Sequence, residues 1–246
     1  MKKVFTFIFA VLSLQLMAQN TDTRVFEMRT YYAETGKLDD LVARFQKHTT
    51  KLFKKHGMEN IGYWLPIHND KNQIVYVLAY PSMEAREAAW KAFGSDPKWK
   101  KVQKKSEENG KLVNKVESVF MKATDFSPKI GASKKGNRVF ELRTYTSPAG
   151  KSVDIQARFR NHTTVLFEKH GATNIAYWTT IEKEGVEPRL IYILAHKDEA
   201  AGKLTFDNFR KDPEWIKVRD ASERNGKIVD VIESVYMNAL PFSKIK

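Results

Sequence analysis

From Val25 to Tyr31 the chain alternates, with Val25, Glu27, Arg29 and Tyr31 on one face and Phe26, Met28 and Thr30 on the other. That period of two predicts a strand. After Gly36 the period lengthens: Leu38, Leu41, Val42, Phe45, Leu52 and Phe53 recur at three and four residues, which predicts a helix. His56-Gly57 is its expected end, with Gly57 as a left-handed cap and His56 at the negative end of the dipole. Ile61 to Leu65 and Ile74 to Tyr80 read as a β-hairpin around the polar loop His68-Asn69-Asp70. Ser82 is the expected cap of a helix through Phe93, and Asp96-Pro97 starts its continuation. Asn109-Gly110 closes it, and Leu112 to Met121 supplies a last strand.

The same βαββαβ order occurs twice. Arg24 to Trp64 and Arg138 to Trp178 are identical at 25 of 41 positions at an offset of 114. A two-residue insertion near Glu184 shifts the offset to 116, after which Val75–Tyr80 pairs with Ile191–His196 and Asp96–Trp99 with Asp212–Trp215. Two copies of this length mean duplicated domains, expected at 24–121 and 138–238, not a solenoid. The 122–137 segment, with Pro128, Gly131, Gly136 and Lys134-Lys135, has a linker composition. The fold class expected is α+β: two tandem ferredoxin-like domains. Each sheet would have one face covered by helices and one needing a partner. The two sheets are therefore expected to face each other as an intramolecular eight-stranded barrel, the alternative being a homodimer.

Residues 1–18 have another character. Lys2-Lys3 precede an apolar run from Val4 to Leu16, and Ala18 offers a small-residue cleavage site, so a signal peptide and a periplasmic or secreted protein are expected. The run is shorter than a membrane span, and no transmembrane segment is expected elsewhere. The absence of cysteine excludes disulfides, thiolate metal sites and a cysteine nucleophile. The formal charge of +13 invites a nucleic-acid partner. The Gln73–Tyr80 strand lacks the basic-glycine-aromatic signature of RNA-binding sheets, however. Lys98, Lys100, Lys101, Lys104 and Lys105 read as a solvated helix face, drawn to anionic envelope surfaces, and no nucleic-acid partner is expected.

Three sets of residues are candidates for chemistry. Glu27, Arg29 and Tyr31, repeated as Glu141, Arg143 and Tyr145, are expected to turn towards the barrel interior. There they would either floor an anion-binding pocket or clamp the sheets as an ion-pair network, the second reading being favoured. His48 and His162 border the helix's apolar face, one turn after Arg44 and Arg158, and are the catalytic candidates, as base or haem ligand; a boundary histidine bonded to a carbonyl is the commoner outcome. Tyr63-Trp64 and Tyr177-Trp178 each send one ring to the helices and one to the barrel. No metal site is expected: His48 and His56 are eight apart, missing the helical ligand step. Phosphate loops, nucleophile elbows and HExxH motifs are absent from the sequence.

The string Val25-Phe-Glu-Met-Arg-Thr-Tyr31, the Gly36-Lys37-Leu38 helix start, Lys55-His-Gly, Ile61-Gly-Tyr-Trp64, the hairpin and Asp96-Pro97-x-Trp99 resemble the NIPSNAP family across both copies. The resemblance implies a dimeric α/β-barrel fold and a tendency to pair domains. The segment matching the family's second helix carries Arg86, a further ligand-binding candidate, where the second copy has Gly202; Trp90 becomes Phe206. Two functions are compatible with this. One is a non-catalytic envelope protein that binds a small ligand or scaffolds, without a cofactor. The other is a monooxygenase or isomerase, haem-dependent or cofactor-free, using the barrel pocket.

Overall fold

The computed structural model describes residues 22–133 and 136–246. The expected export signal at 1–18 lies outside the described residues. Strands β1 (Val25–Ala33), β2 (Glu59–Pro66), β3 (Gln73–Tyr80) and β4 (Val113–Ala123) form the first repeat's sheet. Strands β5 (Val139–Thr146), β6 (Thr173–Thr180), β7 (Leu190–His196) and β8 (Val231–Ala239) form the second's. All eight close into one antiparallel barrel in the order β1-β3-β2-β8-β5-β7-β6-β4. Long pairings lie within each repeat. The two seams between repeats are short: Trp64–Pro66 on β8 and Met121–Ala123 on β6. The barrel is therefore intramolecular, as the unpaired sheet faces required.

The helices follow the expected boundaries with one addition. α1 (Leu38–Arg44) and α2 (Thr50–Lys55) are joined by a π-helical turn, Phe45–Thr49. α5 (Ser152–Arg158) and α6 (Thr164–Lys169) are joined likewise by Phe159–Thr163. The Thr49 hydroxyl donates to the Arg44 carbonyl at 3.2 Å, and Thr163 does the same to Arg158, so side-chain oxygens occupy carbonyls inside the widened turn. α3 (Met83–Ser95) starts at Ser82, whose oxygen accepts from the Ala85 N–H. α4 (Pro97–Ser106) starts at Asp96, which accepts from the Lys98 N–H. α7 (Glu199–Lys211) and α8 (Pro213–Ser222) repeat this with Asp198 and Asp212. His56, beyond ending α2, bonds Asp96 Oδ2 at 2.8 Å and ties the two helix pairs together.

The orientation of β1 is the reverse of the one expected. Phe26 faces the barrel interior, with Met28 packed against that same core; Glu27, Arg29 and Tyr31 face the helices. The physical reason is partner supply. The interior is an apolar, two-sheet core of Trp64, Val75, Val77, Met121, Phe140, Trp178 and Met237, which offers no charged partner. The helix side offers Arg86, Trp90 and Tyr80 to Glu27, so the charged face turns that way. Inside the barrel, Phe26 meets Trp178 at 5.8 Å and Trp64 meets Phe140 at 6.0 Å, two aromatic contacts that lock one repeat to the other. Gly62 permits this: a Cβ there would lie 2.1 Å from the Trp64 ring. Tyr63 and Tyr177 take the helix side, as the alternation predicts.

The described residues of the segment read as a linker make specific contacts with the second repeat. Beyond β4, the Thr124 N–H donates to the Tyr177 carbonyl, Ser127 Oγ accepts from the Tyr177 N–H, and Phe126 packs on its ring at 5.5 Å. Beyond β8, Leu240, Ser243 and Phe242 make the same three contacts with Tyr63. Each repeat thus sends an arm onto the other, burying Ile130 and Ile245 in the shared core. Pro and Gly content hid this, because the arms are held by the far repeat and not by local periodicity.

Candidate functional site

Glu27 on β1 is wholly buried. Arg29 reaches its Oε1 at 2.5 Å, Arg86 spans both oxygens at 2.8 and 3.1 Å, and Ser118 donates at 2.5 Å. The Tyr80 hydroxyl and Trp90 indole complete the shell at 2.9 and 3.2 Å. Burial alone would push the carboxyl's pKa up. The Arg86 bonds, the Arg29 charge and Ser118 outweigh it and hold the group at about 2. With every lone pair taken, Glu27 is an anchor and no general base. Arg29 stacks over Trp90 at 4.4 Å.

The second repeat rebuilds this with different parts. Glu141, also buried, receives Arg143 at 2.5 Å, Ser234 at 2.6 Å and His196 Nε2 at 3.0 Å. His196 replaces Tyr80, Phe206 replaces Trp90, and Gly202 leaves the place of Arg86. Tyr236, in place of Phe120, fills that gap: a Cβ on Gly202 would meet its ring at 2.7 Å and its hydroxyl at 2.8 Å. Glu141 is held below the usual carboxylate range; burial opposes this, and the His196 bond and Arg143 charge prevail.

Beside the Glu27 network, between the first sheet and its helices, lies a cavity of about 340 Å³. Tyr31, Phe45, Phe53, Phe93 and Trp99 give it aromatic walls, Val113 and Val116 close the sheet end, and Arg44, Glu107 and Lys111 supply charge. The π-helical turn places Phe45 and Thr49 in the wall. Arg44 is buried, bonds Glu107 at 2.8 Å, and leaves its Nε without a partner among the described residues. The Tyr76 hydroxyl, buried where its ring meets Tyr31 and Phe45, and the Arg29 Nε likewise lack partners of good geometry. Of these three donors only Arg44 lines the cavity, and the equivalent atoms of Arg158, Tyr192 and Arg143 are left without partners in the second repeat as well.

Of the sequence-predicted residues, Tyr31 and Arg44 line this cavity, while Glu27, Arg29 and Arg86 support it from beside Trp90. Glu141, Arg143, Tyr145 and Arg158 hold the equivalent places in the second repeat. There Arg143 also donates to the Tyr145 hydroxyl at 3.3 Å, and Arg158 bonds Glu223 at 3.0 Å. His48 and His162 do not enter either sheet–helix core. Both are exposed and lie in outer grooves between α1 and α4, or α5 and α8. The π-helical turn rotates the helix between Arg44 and Thr49, carrying a position that a regular period of 3.6 put at the apolar border out into solvent. The reading missed Phe45, Phe53, Phe93 and Trp99 as a wall, since a helix's apolar stripe looks the same whether it packs solidly or encloses space.

Among the described residues no helix is long and apolar enough to cross a membrane. The NIPSNAP family model matches the chain over residues 26–128 and 140–244. A NipSnap homologue of Dictyostelium discoideum is 28% identical over 135 residues. That match covers 53% of this chain and 52% of the relative, so the chain spans about half the length of the curated relative it matches. The structure resembles a candidate monooxygenase of Lactobacillus acidophilus NCFM with a TM-score of 0.58 at 8% identity, covering 88% of this chain and 94% of that one. A second candidate monooxygenase, from Fusobacterium nucleatum, gives 0.58 at 11% identity over 91% and 95%. At these identities the likeness is one of fold, the dimeric α/β barrel. With both repeats matched and the barrel shared, the chain belongs to the NIPSNAP family.

Proposed function

We propose that the chain is a non-catalytic binding protein of the cell envelope, whose ligand is a small aromatic or apolar molecule with an anionic or carbonyl group. The observation that carries this is the aromatic cavity of the first repeat, with the Arg44 guanidinium and Lys111 in its lining. Its volume falls within the range of about 300–1,000 Å³ usual for ligand pockets. Export rests on Lys2-Lys3 and the apolar run that follows. On this reading each repeat is a ferredoxin-like unit, at 24–121 and 138–238, with its arm reaching across. The strand order β4-β1-β3-β2 and helices on one face support it.

The surroundings of the histidines favour binding over haem chemistry. His48 shares its groove with Lys37, Lys47, Lys101 and Lys105, and no aromatic residue lines that groove to sandwich a porphyrin. No residue of the aromatic cavity is a histidine.

The probe for the cavity is 8-anilinonaphthalene-1-sulfonate, an aromatic anion. It should bind the native chain saturably, and Val116→Trp, which fills the mouth from an exposed position, should weaken it by at least about tenfold. Binding unchanged by Val116→Trp, in a chain whose melting is also unchanged, would overturn the reading.

A further inference from the structure

The outer groove between α1 and α4 is a second concavity of the first repeat, about 570 Å³ in volume, on the far side of Arg44 from the aromatic cavity. Lys37, Arg44 and Lys47 face it from the first helix and Lys101 and Lys105 from α4, against a single carboxylate, Asp40. Lys47, Lys101 and Lys105 are exposed and make no ion pair among the described residues. Lys101 and Lys105 stand four apart on one helix face, a like-charge spacing that weakens a helix. Solubility alone is served as well by interspersed signs.

The duplication supplies an internal control. The groove between α5 and α8, about 640 Å³ in volume, keeps Lys151, Arg158, His162 and Lys217 at the equivalent positions. There Lys47 becomes Asn161, Lys105 becomes Ala221, and Glu214 enters where Lys98 stood. Three cations then face two carboxylates, where the first groove has five against one. A fold that needed lysines at these positions would have kept them in both copies. Charge has been concentrated in one groove of an otherwise repeated frame.

We propose that the first groove binds a ligand carrying clustered phosphate groups. Lysine ammoniums are compact charges with three rotatable donors each, suited to several phosphate oxygens at once. The Arg44 guanidinium, buried and paired with Glu107, is a fixed floor, and the unpaired charge is that of Lys47, Lys101 and Lys105. His48 and Asn109 add neutral donors at the rim. No Phe, Tyr or Trp lines the groove, so stacking of nucleobases is not provided for. The phosphates belong either to a soluble polyphosphate ester or to packed phospholipid headgroups.

The test uses the full chain, with inorganic tripolyphosphate by calorimetry and phosphatidylglycerol vesicles by co-sedimentation. The native chain should bind tripolyphosphate at one site, more weakly as salt rises. Lys47→Asn with Lys105→Ala, which gives the first groove the second's residues at these two positions, should weaken binding about tenfold. Lys71→Ala with Lys91→Ala, an equal charge loss on exposed residues elsewhere, should leave it in place. Asn161→Lys with Ala221→Lys should create a second site, a gain that misfolding cannot mimic. Binding of vesicles but not tripolyphosphate, with the same dependence on Lys47 and Lys105, assigns the phosphates to a lipid surface. No binding of either probe, or equal loss in the two double variants, would overturn the proposal.

Discussion

The two repeats solve one problem in two ways. Both place a glutamate on the central strand under the helices, and both clamp it with the arginine two residues on. The first adds a guanidinium from α3, Arg86. The second deletes that side chain at Gly202, moves Tyr236 into the space, and lets His196 take over a carboxylate oxygen. Four positions have changed together while the Glu–Arg pair has not. The pair is therefore a folding device common to both copies, and the surrounding positions are where the copies diverged. In the first repeat the clamp is accompanied by the aromatic cavity and the more basic groove proposed here as ligand sites.

Breaking the clamps should separate the copies most strongly. Glu27→Leu leaves the part-buried Arg29 and Arg86 without their counter-charge and should cost about 3 kcal/mol in urea melts. Glu141→Leu strands one guanidinium and a histidine and should cost less. Equal losses would contradict the difference in cation count.

Acid should show the same contrast through the first clamp. Glu27 sits at about 2 when folded against an ordinary 4.5, so below pH 5 the unfolded chain binds more protons than the native one. The stabilisation, about 3 kcal/mol, is complete above pH 5 and is lost as pH falls towards 2. Melts from pH 6 to 2 should flatten in Glu27→Gln. An unaltered acid limb in that variant would remove Glu27 from the account.

Gly202→Ala comes next. Its methyl would press on Tyr236 at 2.7 Å and on His196 at 3.1 Å, for a loss of about 1–3 kcal/mol. Adding Tyr236→Phe should recover part of it by removing the hydroxyl. The smallest effect is expected at Lys105→Ala, a gain of about 0.3 kcal/mol from relieved repulsion with Lys101. A measurable loss there would mean that Lys105 supports the fold.

Much of the fold was legible because duplication wrote it twice. Caps at Ser82 and Asp96, the Gly57 stop and the closed barrel all follow from local pattern plus one unpaired sheet face. Which face of β1 turns inward was not legible from alternation alone. That choice depends on whether charged partners sit on the helices or in the other sheet, and Arg86 is 59 residues from Glu27. The arms at Phe126 and Phe242 were hidden for the same reason, their partners being in the opposite repeat. The π-helical turns defeated the placement of His48, because the widened turn puts Thr49 on the buried side and His48 in solvent, while Leu52 and Phe53 keep their expected face. Tyr31 and Arg44, named as candidates from the strand alternation and from the turn before His48, both line the cavity, Tyr31 from the helix side and not from the barrel interior. The aromatic wall was not legible, since packing and enclosure share one sequence pattern.

The central claim is that the first repeat holds the ligand and the second supports it. Native mass spectrometry of the purified full chain tests this most directly, comparing Val116→Trp with Ile232→Trp, the equivalent exposed position on β8. The account predicts a monomer carrying one small-molecule adduct, lost in Val116→Trp and retained in Ile232→Trp. An adduct lost in Ile232→Trp and retained in Val116→Trp, or a ligand-free dimer, would contradict it.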